Sequence, residues 1–298
     1  MGKKKVSREK KVNENNLVIE PDGAFCFAGN EFRKIYHLGE KDDNFQPQEL
    51  VENLNSKIRI TKRFGKNKYE VFLTLSLEGE YEEVREKFFE DERILEKIFE
   101  IQMLSPESLI QSFYGANKDF LHAMKKNKKG DWKSKYLPVL DCKDNYFLFD
   151  GMYGECLFVM NFPETLSAGI CKALRQLECE IQISTEISSI SDIELTDYNR
   201  AMEEKYHRRI SNDREQKILN ISEQIVFFGD SDDARKIIEN TILSIYTNRD
   251  YMISVGTGFQ NEIAESAFSL GTVAFNNRRN VNAQIVDTIL SKEELWQL

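Results

Sequence analysis

Apolar and polar positions alternate most informatively in the last third of the chain. Ile225-Val226-Phe227-Phe228 is an unbroken apolar run, Gly229 to Asp233 supplies turn and N-cap chemistry, and from Ala234 to Tyr246 apolar residues recur at helical spacing. A second apolar run, Met252 to Val255, follows, so this stretch predicts a βαβ-like unit. Upstream, Gly154 to Pro163 has the strongest strand character of the chain. Tyr136–Leu140 and Tyr146–Phe149 predict two shorter strands around the Asp141 to Asn145 turn. A helix from Ser167 to Leu177, a strand from Glu180 to Ser184 and a polar helix from Ile193 to Ile218 complete this part.

The first part opens with three short strands, Leu17–Ile19, Ala24–Ala28 and Phe32–Leu38, which suit an antiparallel meander around the Pro21-Asp22-Gly23 turn. Gln48 to Ile60 has helical period, with Leu50, Leu54 and Ile58 on one face, and Tyr69 to Leu77 alternates as a half-buried strand. Glu80 to Met103 is dense in charge, with Val84, Phe88, Ile94, Leu95, Ile98 and Ile101 interleaved, and predicts a long amphipathic helix. Ser105-Pro106 then opens a second helix to about Met124, and Lys125 to Lys135 is a basic linker. Four segments result: a disordered basic arm over 1–16, a first α/β part over 17–79, a helical insertion and linker over 80–135, and a second α/β part over 136–298. The fold class expected is α+β, with short mixed or antiparallel sheets, packed helices and the helical insertion. Phe88 and Phe89 are adjacent on the insertion's first helix, and only one ring can face its core stripe. The pair is therefore the candidate interface.

Composition narrows the chemistry. The 298 residues carry a formal net charge of −9, which argues against a general nucleic-acid binder; the basic cluster Lys3 to Lys11 is local. No apolar run reaches the length of a membrane span, and no apolar segment follows the basic start as a secretory signal would, so a cytoplasmic protein is expected, peripheral to the inner membrane at most. The five cysteines are scattered within apolar patterns, as reduced buried thiols are, and His37, His122 and His207 fall in separate elements without metal-ligand spacing. A nucleophile-elbow sequence is absent. Gly256-Thr257-Gly258 is either an anion-binding turn or simply a loop needing positive φ. Arg278-Arg279 suits contact with phosphate or an acidic partner, and equally a solvated turn.

Three blocks in order resemble one family. "DGAFCFAGNEFRKIYHLGEKDDNFQPQELVENLN", "GMYGECLFVMNFPETLSAGICKALRQLECEIQISTEI" and "VFFGDSDDARKIIENTILSIY" followed by "NEIAESAFSLGTVAFNNRRNVNAQI" are similar to the N-terminal domain of the TraC/CagE/TrbE (VirB-type) type IV secretion and conjugation ATPases. The resemblance implies an interaction and assembly domain that seats a motor at the inner-membrane complex. The partners implied are other secretion subunits, inner-membrane components and further copies of the chain. The G-x-x-x-x-G-K-[ST] spacing that cradles phosphates is missing, since Gly65-Lys66 lacks both the upstream Gly and the following Ser or Thr. No enzyme activity and no cofactor are therefore expected of this chain; ATP and magnesium would belong to an attached motor domain. Two other readings stand beside this one: an enzyme holding a small phosphorylated ligand at the Val255 to Phe259 turn, and a free-standing adaptor or effector from a mobile element.

Overall fold

The computed structural model describes residues 18–20, 22–27, 30–41, 50–51, 53–66, 68–104, 108, 140–149, 151–166, 168–206, 218–267, 275 and 277–296. The basic arm, most of the second insertion helix, the basic linker, the Tyr136–Pro138 stretch, His122 and His207 lie outside them.

The fold is α+β. Its strands are β1 (Val18–Ile19), β2 (Phe25–Phe27), β3 (Glu31–Gly39), β4 (Lys57–Gly65), β5 (Lys68–Glu78), β6 (Glu100–Met103), β7 (Asp141–Cys142), β8 (Phe147–Phe149), β9 (Met152–Asn161), β10 (Ile181–Ser189), β11 (Ile218–Gly229), β12 (Met252–Val255) and β13 (Arg279–Asn282). The helices are α1 (Tyr81–Ile98), α2 (Ile170–Arg175), α3 (Asp192–Tyr206), α4 (Asp232–Thr247), α5 (Gln260–Ala267), α6 (Ala283–Ile289) and α7 (Lys292–Leu295). All thirteen described strands join one sheet of order β1-β2-β3-β5-β4-β10-β11-β9-β8-β7, with β6 on β3, β12 on β9 and β13 on β11. Every described pairing is antiparallel. The two α/β parts thus meet in a single sheet, because β4 of the first pairs with β10 of the second from Ile58↔Ile187 to Phe64↔Ile181.

Alternation decides which face each residue takes. The registers place Ile58, Ile60, Lys62 and Phe64 beside Ile187, Thr185, Ile183 and Ile181, and those beside Ile221, Glu223, Ile225 and Phe227. This face is the main core. It is covered by α1, α2, α4 and α6 through residues such as Val84, Phe88, Leu95, Leu174, Ile242 and Val286. The opposite face is largely polar in its middle strands. Over β8, β9 and β11 it is closed by α5, where Ile263, Ala264 and Ala267 pack on Phe147, Cys156 and Val226.

Several elements differ from the expectation. The βαβ-like unit is split: β11 and β12 both run antiparallel to β9 and lie on either side of it, so the α4 crossover spans an intervening strand. The helical period of Gln48 to Ile60 does not hold to its end, because Lys57 to Ile60 belong to β4, where Ile58 and Ile60 fit a period of two as well. The charged helix stops at Ile98, and Glu100 to Met103 pair with β3 as β6; Ile98 and Ile101 satisfy helix spacing, but Phe99 turns extended and is buried. The helix expected from Ser167 is the shorter α2, the strand at Glu180 extends to Ser189, and of the polar helix Asp192–Tyr206 is described, with Ile218 already in β11.

The α4 start shows why the local sequence folds as it does. Ser231 accepts a hydrogen bond from the Ala234 amide at 3.1 Å as N-cap, and Asp232 and Asp233 occupy the positive end of the helix dipole. At Gly229 a Cβ would stand 2.6 Å from the Arg235 backbone nitrogen, so this strand-to-helix turn admits only glycine without a backbone shift.

Candidate functional site

Helix α1 lies on the main core face with Val84, Phe88, Asp91, Leu95 and Ile98 inward. Two interactions fix its rotation. The Phe88 ring is fully buried under Lys34, whose Nζ stands 5.7 Å from the ring centroid. One turn on, the buried Asp91 carboxylate accepts from the Asn55 amide at 2.8 Å, the Ser56 amide at 3.1 Å and both side chains, tying α1 to the turn before β4. With Phe88 and Asp91 inward, the 100° step of the helix turns Phe89 outward, and it is 61% exposed. Of the two candidate interface rings, Phe88 is a core residue and Phe89 is the surface aromatic. Arg85, Glu82, Glu86, Arg93 and Glu96 surround it, all exposed, with Arg85 and Glu82 paired at 3.0 Å.

The glycine turn is tied into the protein by its own amides. The Gly256 amide donates to the Cys156 carbonyl at 3.0 Å, Gly258 to the Asp144 carbonyl at 2.7 Å and Phe259 to the Gly256 carbonyl at 3.0 Å. An anion at Gly256-Thr257-Gly258 would have to displace those partners. Gly258 sits at φ 77°, which accounts for one glycine, and a Cβ at Gly256 would fall 2.1 Å from Ile263 Cδ1, which accounts for the other.

A buried charge cluster escaped the sequence reading. Lys62 of β4 points into the main core, its Nζ 3.4 Å from Cys171 Sγ and 3.3 Å from the Ile289 carbonyl. Glu294 of α7 reaches the same place and caps the start of α2, accepting from the amides of Gly169, Ile170 (2.9 Å) and Cys171 (3.2 Å). Glu223 of β11 accepts from Thr185 Oγ1 at 2.8 Å and from the Tyr246 hydroxyl at 3.1 Å. These groups line a cavity of about 20 Å³, room for a single water. Burial opposes the Lys62 ammonium, but the neighbouring Cys171 sulfur, Glu294 and Glu223 outweigh it and raise its pKa. Burial raises Glu223, whereas for Glu294 the burial effect is overcome by Lys62 and the helix amides, and its pKa falls. Burial also pushes the Cys171 thiol far up, so it is no nucleophile at neutral pH. The cluster joins β4, α2, β11 and α7.

A second buried charge site lies at the far end of β9. Arg235 of α4 bonds Glu155, Asp232 (2.8 Å) and Glu239 (3.3 Å) and lies 5.2 Å from the Tyr146 ring centroid. One guanidinium shared among three carboxylates neutralises none fully. Burial first and the Glu239 charge second push Glu155 from an ordinary 4.5 up to about 8, and its Oε1 has no hydrogen-bond partner among the described residues. Because the folded-state pKa lies above the unfolded one, the stability Glu155 contributes is fully present below pH 4.5 and is lost as pH rises through about 8. Melting temperatures of the wild type and Glu155→Gln, measured from pH 5 to 9, will show the difference, variant minus wild type, rising across that window. A flat difference would place the proton elsewhere.

The remaining candidates within the described residues make contacts inside the protein. None of the five cysteines is in a disulfide, and His37 packs edge-on against Phe72 at 5.4 Å. Arg278 pairs with Glu186 at 2.8 Å, and Arg59 holds the other oxygen of that carboxylate at 3.0 Å; Arg279 donates to the Met160 carbonyl. Among the described residues there is no group of three or more His, Cys, Asp or Glu able to hold a metal, and no helix long and apolar enough to cross a membrane.

No family model matches the chain, and no curated protein matches it. Among solved structures it is similar to a chitooligosaccharide oxidase, at TM-score 0.32 and 11% identity over 82% of this chain and 50% of that one. It is similar also to aclacinomycin oxidoreductase, at TM-score 0.34 and 7% identity over 74% of this chain and 41% of that one. The chain spans half or less of the length of these proteins, and likeness at this level fixes neither a fold family nor a chemistry.

Proposed function

We propose that this chain is a non-catalytic interaction and assembly module of the kind found at the N-terminus of type IV secretion ATPases, docking other secretion subunits through the outer face of α1. The observation that supports this reading is Phe89, an aromatic side chain held 61% exposed at the centre of a helix whose rotation is fixed by buried Phe88 and Asp91. A large ring held in water on a rigid helix has the shape of an interface anchor, the kind of residue that carries most of the binding energy where a partner covers it. The three sequence blocks similar to that ATPase family suggest the setting: a module at the inner-membrane complex that meets further secretion subunits or copies of itself. ATP turnover is no part of this reading, because the phosphate-loop spacing is missing from the sequence.

The test is association. Pull-down of inner-membrane secretion subunits with the chain, and light scattering of their mixtures, are expected to show complexes that Phe89→Ala weakens by about 2 kcal/mol or more, the loss typical of an aromatic anchor. Unchanged association in both measurements would remove α1 from the interface.

A further inference from the structure

Around Phe89 the charges of α1 follow an order. Arg85 and Arg93 stand four residues to either side, Glu82 and Glu96 seven residues to either side, and all four are exposed. Steps of four and seven return close to the same side of a helix, so these residues and the ring form one stripe about two turns above and below Phe89. The two arginines are about 12 Å apart at 1.5 Å per residue. The stripe itself reads acid, base, aromatic, base, acid and is symmetric about the ring; beside it lie Glu86, exposed, and Glu92, turned in to Lys34.

That symmetry bears on which partner fits. A second copy laid antiparallel on a twofold axis through Phe89 sets Arg85 against Arg93 and Glu82 against Glu96 of its mate. In the parallel arrangement each charge meets its own copy. Both set like charge on like, which penalises the wrong partner. The complementary surface is an apolar residue flanked by acids four residues away and by bases seven residues away. Resting on the interaction-module reading, we propose that α1 docks an amphipathic helix of a different protein carrying the order base, acid, apolar, acid, base at these spacings. The apolar residue covers Phe89, and the two acids meet Arg85 and Arg93.

The full chain is titrated, at about 50 mM salt, with three labelled helical peptides followed by fluorescence anisotropy: one with Lys, Glu, Leu, Glu, Lys at positions −7, −4, 0, +4 and +7, one with those charges reversed, and one with the central Leu changed to Ala. The first is expected to bind about tenfold more tightly than the reversed one, the sum of two exposed ion pairs, with the preference shrinking at higher salt as the Debye length contracts. Arg85→Glu/Arg93→Glu, exposed substitutions that leave the core untouched, should invert the preference, and Phe89→Ala should abolish the advantage of Leu over Ala. Equal binding of matched and reversed peptides, or a preference that survives the double substitution, overturns the proposal. So does sedimentation showing a dimer of the chain that Phe89→Ala dissolves, since the occupant would then be a second copy. If the peptide preference is absent while Phe89→Ala still weakens association with secretion subunits, the charge assignment falls and the interaction module stands. If neither measurement responds, both fall.

Discussion

Replacing Lys62 with methionine is expected to lower the unfolding free energy by about 3–5 kcal/mol, the loss typical when one partner of a buried charge group is removed. The side chain is 4% exposed, and its ammonium is the positive charge facing both Glu223 and Glu294 in the same small cavity. Methionine nearly matches the stem in volume, so cavity formation adds little and the loss measures electrostatics. Without the ammonium both glutamates must either stay charged in the core or take up protons, so the deficit should be largest near pH 8 and shrink toward pH 5. Adding Glu223→Gln to Lys62→Met should recover part of it, whereas Glu223→Gln alone leaves the Glu294 pairing in place. Urea unfolding at both pH values reads all four proteins, and a Lys62→Met deficit below about 1 kcal/mol at pH 8 would show that the cluster is not a stabilising unit.

The second large effect separates two neighbouring rings. Phe88→Ala is expected to cost about 3–5 kcal/mol, because a fully buried phenylalanine leaves a cavity as well as losing its transfer free energy. It also removes the surface on which Lys34 lies between Asp22 and Glu92. Phe89→Ala, at an exposed position, is expected to stay within about 0.5 kcal/mol of the wild type. Thermal and urea melts of the two variants decide this, and equal destabilisation by both would mean that the outer ring also packs.

Much of this was legible in the residues. Val84, Phe88, Leu95 and Ile98 fall on one helical stripe, and that stripe selects Phe88 over Phe89 as the inward ring. The Lys62 cluster also leaves a trace: in Ile58, Ile60, Lys62, Phe64 and again in Ile221, Glu223, Ile225 a charge occupies the inward phase of an alternating strand. Such a charge is either a mistaken phase or a buried partner-seeker, and two of them in separate strands match each other. Glu294, by contrast, gives no sign, because α7 is one short turn among charged residues and only the tertiary fold brings its carboxylate to the amides of α2. Element limits failed where both periods fit the same residues, as at Ile58 to Ile60 and at Ile98 to Ile101. The split of β11 from β12 was hidden because the strand lying between them comes much earlier in the chain.

The join between β4 and β10 carries a cost in time. Thr61 and Ser184, side by side across it, are 123 positions apart in sequence. During synthesis at about 5–20 residues per second, β4 waits on the order of ten seconds for the strand that covers its edge. Until then the nascent first half presents bare amides and carbonyls beside Ile58 and Ile60, the kind of edge that recruits strands from other chains. Closing so long a loop also places this pairing among the slow, non-local steps of folding. Yield in the cell should therefore depend on what shields that edge between the emergence of residue 65 and that of residue 181.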